Sequence, residues 1–251
     1  DPLKTSNYNK KVQAWGVGMQ HVAYIDDTFT TRVGFAYNEI TQKYEHFGVD
    51  ARYRASAAAA TPEASTSDNG LTYNLGATYQ PSDDISIFIN HSKGRTAYSV
   101  LGSVSGNEAD REDAESLSTD LGLRVKGFDD QLLASIVLFD TARTNLEYAN
   151  PDYDEATSPA SVPQSYFDGE EKTQGVELDL NAYLNEQWKV NINGVYQDAR
   201  DKKNPNSSAF DSRQKGVPYV TASTWVTYSA QWFELSEPLK ISAGVKYVDD
   251  R

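Results

Sequence analysis

The chain has 251 residues, a formal net charge of −13, 39% apolar and 12% aromatic residues, no cysteine and a single methionine. A chain this long can bury a sizeable core, so disorder is a poor description of it, and the missing cysteines exclude disulfide frameworks and thiolate metal sites. The acidic balance, with no basic stripe anywhere, argues against a nucleic-acid partner, whose phosphates draw affinity from clustered Lys and Arg.

No run approaches the roughly 20 apolar residues of a transmembrane helix, and the mean hydropathy is −0.61. A membrane β-barrel nevertheless hides its apolar residues in alternation, so that half of each strand is polar and the average looks soluble. In chain order, the first predicted strands lie near 11–25 and 28–41, joined at Asp26-Asp27. The third, near 70–80, alternates Leu71, Tyr73, Leu75, Ala77 and Tyr79 with Thr72, Asn74, Gly76 and Thr78. A fourth lies near 84–96. In the fifth, near 115–127, Leu117, Leu121, Leu123 and Val125 oppose Ser118, Asp120, Arg124 and Lys126. A sixth near 130–147 is followed by a seventh near 170–184, where Val176, Leu178, Leu180 and Ala182 oppose Glu177, Asp179 and Asn181. The last three fall near 187–199, 217–230 and 237–249; the final one sets Leu239, Ile241, Ala243, Val245 and Tyr247 against Lys240, Ser242, Gly244 and Lys246.

These roughly ten strands run about 10 to 15 residues, beyond the ~5–6 of soluble sheets and suited to a tilted bilayer span. Their connections alternate between two kinds. Short ones fall at 26–27, 81–84, 127–130, 185–187 and about 230–237, and long ones at about 42–69, 97–114, 148–169 and 200–216. Short turns on one rim and long loops on the other is the arrangement of outer-membrane barrels, with brief periplasmic turns and extended extracellular loops.

A charge on the lipid face costs roughly 2–4 kcal/mol at the midplane. Asp120, Arg124, Glu177, Asp179, Lys240 and Lys246 are therefore expected to line the interior, with the apolar parity facing lipid. Tyr24, Tyr37, Tyr79, Tyr183, Trp188, Trp225, Tyr228 and Trp232, near strand ends, fit interfacial girdles or ordinary sheet packing. With short turns in the periplasm, both chain ends emerge at the long-loop rim, and the chain reads as the middle of a larger barrel.

The run Phe167-Asp168-Gly169-Glu170-Glu171-Lys172-Thr173-Gln174-Gly175-Val176-Glu177-Leu178-Asp179-Leu180 resembles the late-barrel signature of TonB-dependent siderophore receptors, in which an E-x-x-S/T-x-G-V-E-L-E/D run opens a strand. Gly122–Lys126, Leu132–Phe139 and Thr141–Asn145 resemble the family's preceding hairpin, and Asn193–Arg200, Val217–Ser223 and Ala243–Val248 resemble the strands that follow. The resemblance implies an all-β fold, a transmembrane antiparallel up-and-down barrel of which residues 1–251 supply about ten of 22 strands as a single partial domain. It implies a bacterial outer-membrane receptor that imports a ferric siderophore or similar iron chelate, without enzymatic activity or a cofactor. The expected partners are the chelate, outer-membrane lipid and lipopolysaccharide, and TonB, the last only through a plug that this chain omits along with the closing strands.

No HExxH, G-x-S-x-G, Walker or dinucleotide motif is present. His21, His46 and His91 are scattered, and the acidic run 108–115 reads as a solvated loop, with Ca²⁺ coordination the alternative. The candidate ligand contacts are rim aromatics and cations: Tyr98, Tyr148, Tyr153, Tyr166, Phe167 and Phe210, with Arg95 and Arg143. Aromatic rings offer flat contact area at low entropic cost, and Arg pairs with an anionic chelate or acts through cation–π contacts. Loop-on-loop packing is the alternative role for each. Two other readings of the chain remain: a non-energised porin or structural barrel, and a soluble β-domain binding carbohydrate.

Overall fold

A computed structural model describes residues 8–46, 61–96, 113–154, 157–158, 162, 165–203, 211–230 and 239–250. They form strands β1 (Tyr8–Tyr24), β2 (Phe29–His46), β3 (Thr61–Ser82), β4 (Ile85–Thr96), β5 (Ala114–Gly127), β6 (Leu132–Ala149), β7 (Ser165–Tyr183), β8 (Trp188–Lys203), the two-residue β9 (Ser212–Arg213), β10 (Val220–Ala230) and β11 (Leu239–Val248). All lie in one antiparallel sheet in the order β1-β2-β3-β4-β5-β6-β7-β8-β10-β11, with β9 paired to β8. Apart from β9, each strand thus neighbours the next in sequence, the up-and-down topology expected; within the chain the sheet is open, β1 and β11 not being paired.

The register fixes which residues share a face. Leu75, paired with Val33, Ile89 with Leu121, Leu121 with Leu138, Ile136 with Leu178 and Tyr228 with Ile241 belong to one face. Asp120, Arg124, Glu177, Asp179, Lys240 and Lys246 all fall on the other. The apolar face is not covered by protein: Leu121 is 47% exposed, Leu178 44% and Ile241 53%. Among the described residues the only buried apolar side chains are Leu146, Ala199 and Ala230. A water-soluble sheet would leave that apolar area in water at about 25 cal/mol per Å², so the apolar face is the outer, lipid-facing one.

Aromatic side chains bracket this outer band. Phe29 pairs with Tyr79 and Trp188 with Tyr228 near the short turns, the latter rings 4.7 Å apart. Tyr37 meets Trp15 at 5.6 Å, and Tyr196 stacks on Tyr219 at 6.3 Å, toward the long loops. Phe29 to Tyr37 in β2 and Trp188 to Tyr196 in β8 are the same step of eight residues, about 27 Å along a strand and about 20 Å once tilted by about 40°, close to a barrel's apolar band. The register separates the predicted girdle aromatics: Tyr37, Tyr79, Trp188 and Tyr228 are on the outer face, whereas Tyr24 pairs with Thr30, Tyr183 with Lys189 and Trp225 with Asn191 on the inner one. Trp232 lies outside the described residues.

The short turns are held by their own side chains. Asp26 Oδ1 accepts hydrogen bonds from the Thr28 amide (2.7 Å), the Thr28 hydroxyl (2.8 Å) and the Phe29 amide (2.8 Å), and these donors hold its carboxyl below the usual carboxylate range. Asn185 Oδ1 repeats the device on the amides of Gln187 and Trp188. In the β5–β6 turn Phe128, Asp129 and Asp130 are all left-handed, at φ 54°, 54° and 64°. At the other rim the strands outrun their predicted ends, β3 by starting at Thr61 and β7 at Ser165. Pairing continues there after the apolar alternation has stopped, His46 with Thr61 and Ala149 with Ser165.

Two adjacent residues of opposite parity test the assignment of faces. Ile136→Arg on the outer face is expected to lower folding stability in lipid vesicles by roughly 2–4 kcal/mol, while Ser135→Arg, paired with inner-face Asp179, should change it by less than about 1 kcal/mol, as read from urea titration of the membrane-folded protein. A second expectation concerns Asp26: its depressed pKa contributes stability above the ordinary carboxylate range, lost as the pH falls toward the folded-state value. Asp26→Ala should abolish that acid dependence in the same titration.

Candidate ligand-contact site at the long-loop rim

Above the apolar band, β6 and β7 build the most organised cluster of the predicted contact residues. Leu138 and Val176 end the outer apolar run; the next outer row carries Asp140 and Gln174, and Lys172 beyond it pairs with Asp140 at 2.9 Å. On the inner face at this height Arg143 lies opposite Glu171, with its Nη1 donating to Glu171 Oε2 at 3.1 Å. The register then shifts twice, between Arg143 and Leu146 and between Leu146 and Tyr148. The first shift contains Asn145 at φ +57°, whose amide donates to the Asp113 carbonyl at 3.0 Å and ties the bulge to the start of β5.

The bulges turn Tyr148 back over the sheet. Its ring occupies the space beside Gly169, where a Cβ would fall 1.8 Å from the ring, and its hydroxyl lies 3.5 Å from Glu171 Oε1. Glu171 thus meets Arg143 through one oxygen and Tyr148 through the other. Burial first, then the negative charges of Glu171 and Asp201, pushes the Tyr148 hydroxyl up to about 12, so it is a neutral donor at physiological pH. Arg143 remains 54% exposed, and a pair this wet contributes only about 0–1 kcal/mol to stability. The arrangement brings a guanidinium fork, a carboxylate and a neutral phenol together at one point of the exposed rim.

Tyr166 pairs with Tyr148 across the strands, Phe167 follows it, and Tyr153 sits in the turn between β6 and β7, its amide bonded to the Asn150 carbonyl at 3.2 Å. Arg143, Tyr148, Tyr153, Tyr166 and Phe167 therefore share one hairpin. Arg95 stands apart on β4, with its guanidinium 2.7 Å from Asp113 and 3.9 Å from Glu115 and only 16% exposed, filling the space beside Gly70. Tyr98 and Phe210 lie outside the described residues. The sequence reading did not single out Glu171, Asp201 or Gly169 as members of the site, although Gly169 and Glu171 fall in the signature run. Counting back by twos from inner-face Glu177 does put Glu171 on the inner wall, so the signal was in the alternation. The bulges that bring Tyr148 onto Gly169 leave no such trace.

Below this rim the inner wall is a ladder of polar cross-strand contacts. Asn193 donates to Asp179 at 3.1 Å and accepts from Ser223 at 2.8 Å, and Ser118 lies 2.9 Å from Thr141. Among the described residues no group of three His, Asp or Glu side chains is placed to hold a metal ion.

Residues 1–251 match the family described as TonB dependent receptor-like, beta-barrel. The chain belongs to that family, whose members are outer-membrane receptors of Gram-negative bacteria and not enzymes. It is 22% identical to an uncharacterized TonB-dependent receptor of Haemophilus influenzae over 234 residues, 93% of this chain and 62% of that protein. It is 23% identical to the probable TonB-dependent siderophore receptor PiuA of Acinetobacter baumannii over 228 residues, 82% of this chain and 28% of that one. The crystal structure of the siderophore receptor PiuA from Acinetobacter baumannii superimposes with a TM-score of 0.74 at 20% identity, covering 96% of this chain and 34% of that chain. The chain thus spans less than two thirds of the relatives it matches, and the inverted polarity of the sheet has its counterpart in a membrane barrel.

The Tyr148 environment is open to direct titration. A raised folded-state pKa contributes stability that is complete below the free tyrosine value of about 10 and is lost as the pH rises toward 12. The difference in ultraviolet absorbance between the wild type and Tyr148→Phe should show this hydroxyl ionising near 12, and Glu171→Gln should move it down toward 10.

Proposed function

We propose that this chain forms barrel wall and extracellular rim of a TonB-dependent receptor that captures and imports a ferric siderophore or similar iron chelate. The observation that carries the reading is the Arg143–Glu171–Tyr148 cluster, set on the inner face just beyond the lipid-facing band of a chain that belongs to this family. A chelate wrapped around ferric iron presents oxygen donors, residual negative charge and flat rings, and the cluster offers the complementary cation, phenol and aromatic surface. Tyr166, Phe167 and Tyr153 extend that surface along the hairpin, with Tyr98, Phe210 and Arg95 as further rim contacts. The naming of PiuA as a siderophore receptor supports the same ligand class. TonB acts on the receptor from the periplasmic side, and lipid and lipopolysaccharide meet the outer face.

A non-energised pore is the less favoured reading, since the family match is to TonB-dependent receptors. Uptake distinguishes the two. Cells expressing the full-length receptor should accumulate iron-55 from a panel of ferric catecholate, hydroxamate and citrate chelates for at least one member. A protonophore should abolish that accumulation, whereas passive diffusion through a pore would persist. For the chelate taken up, Arg143→Gln combined with Tyr148→Phe should weaken binding to de-energised cells by about tenfold to a hundredfold, the range for losing one charge-assisted hydrogen bond. Unchanged affinity would remove this hairpin from the site.

A further inference from the structure

The convergence of side chains at the rim has a holder of its own. The ladder between β5 and β6 runs up to the pair Glu115 and Thr144, and the residue that follows, Asn145, is left-handed at φ +57°. Asn enters that region more readily than most residues, and Gly more readily still. A glycine would therefore serve the backbone here at least as well. What the asparagine adds is its amide: Nδ2 donates to the Asp113 carbonyl at 3.0 Å, so that a side chain keeps β6 joined to β5 at the point where the bulge begins.

Asp113 is a firm anchor. It is only 7% exposed, and its carboxylate meets the Arg95 guanidinium at 2.7 Å. Arg95 in turn fills the space beside Gly70 of β3. Removing either partner of a buried ion pair is costly, so the carbonyl that receives the Asn145 amide is held in place from two further strands. On the other side of Asn145, Leu146 is 8% exposed and pairs with Gly169, and after the second register shift the Tyr148 ring lies beside the same glycine. A line of contacts thus runs from β3 through Arg95, Asp113 and Asn145 to the bulge that carries Tyr148, and from Tyr148 to Glu171 on β7.

We infer that Asn145 is a positioning residue for the rim site: its tether to Asp113 fixes the bulge that lays Tyr148 over Gly169 and within reach of Glu171. The left-handed residue bends the strand, and the tether sets where the bent strand goes. What this does for ligand capture rests on the transport reading above. The positioning itself does not.

The test uses the full-length receptor in detergent with no ligand present. Tetranitromethane, which nitrates accessible phenolates, is applied at fixed pH, and nitration of Tyr148 is read by peptide mass spectrometry against Tyr153 of the same hairpin. In the wild type Tyr148 should react more slowly than Tyr153. Asn145→Asp keeps the size and the left-handed tendency but offers the carbonyl only acceptors, while Asn145→Gly keeps the backbone freedom and removes the amide. Both should speed nitration of Tyr148 relative to Tyr153 by about tenfold to a hundredfold, because the phenolate fraction rises about tenfold for each unit that the pKa falls from about 12 toward the ordinary 10. Charge cannot produce that result in Asn145→Asp, since a new carboxylate would hold the phenol proton more tightly. Folding of each variant is checked by heat-modifiable gel migration, and if one does not fold the other decides. An unchanged Tyr148 rate in a folded variant would overturn the proposal, as would equal acceleration of Tyr148 and Tyr153, which marks general loosening. A wild-type Tyr148 that reacts as fast as Tyr153 would overturn it too, since no held ring would remain to be positioned. No chelate takes part, so failure here leaves the uptake experiment to stand or fall alone.

Discussion

Backbone hydrogen bonding inside hydrocarbon governs this structure. An amide or carbonyl left unpaired at membrane depth costs several kcal/mol, and a β-bulge leaves one residue unpaired. The register shifts of the sheet obey that constraint. They fall between Tyr44 and His46, Tyr79 and Ser82, Arg143 and Leu146, Leu146 and Tyr148, and Glu170 and Glu171. Every one lies beyond an aromatic belt, at the long-loop rim or, for Tyr79/Ser82, beside a short turn. Between the belts the pairings run without interruption, as in β5 against β6 from Glu115 to Gly127.

The same constraint explains how much of the fold was legible in the sequence. With pairing unbroken across the band, strict period two follows, and the alternations at 71–79, 176–182 and 239–247 could be read directly into faces. Outside the band the rule lapses. β3 begins nine residues before its predicted start because Thr61–Asn69 pair with β2 without any apolar alternation, which their composition does not announce. Aromatics near strand ends carried half of the information: position along the strand was visible, but the face needed parity, and Tyr24, Tyr183 and Trp225 are on the inner one.

Packing on the inner wall follows a rule that single-strand patterns do not contain. Phe88, Tyr148, Phe139 and Trp225 each lie over or beside a glycine of a neighbouring strand. A ring laid on a neighbouring glycine covers bare backbone and flattens its own profile, so large side chains fit on a surface whose other members are mostly polar or charged. The pairing is a property of register. Gly169 and Tyr148 are 21 positions apart, and only two compensating bulges bring them together.

Those bulges also account for where the candidate site lies. Regular strands can only alternate side chains between the two faces, so within the band each inner position has one direction and a fixed spacing. Convergence of a cation, a carboxylate and a phenol on one point needs a break in that regularity. Such a break is tolerated only where water can satisfy the freed backbone groups. Glu171 sits on the first inner position past Thr173 still in unbroken register with β6, and Tyr148 reaches it across two shifts. The chemistry therefore lies at the wet rim for the reason the band is regular: hydrocarbon enforces straight pairing below, and release from it above allows side chains to be aimed.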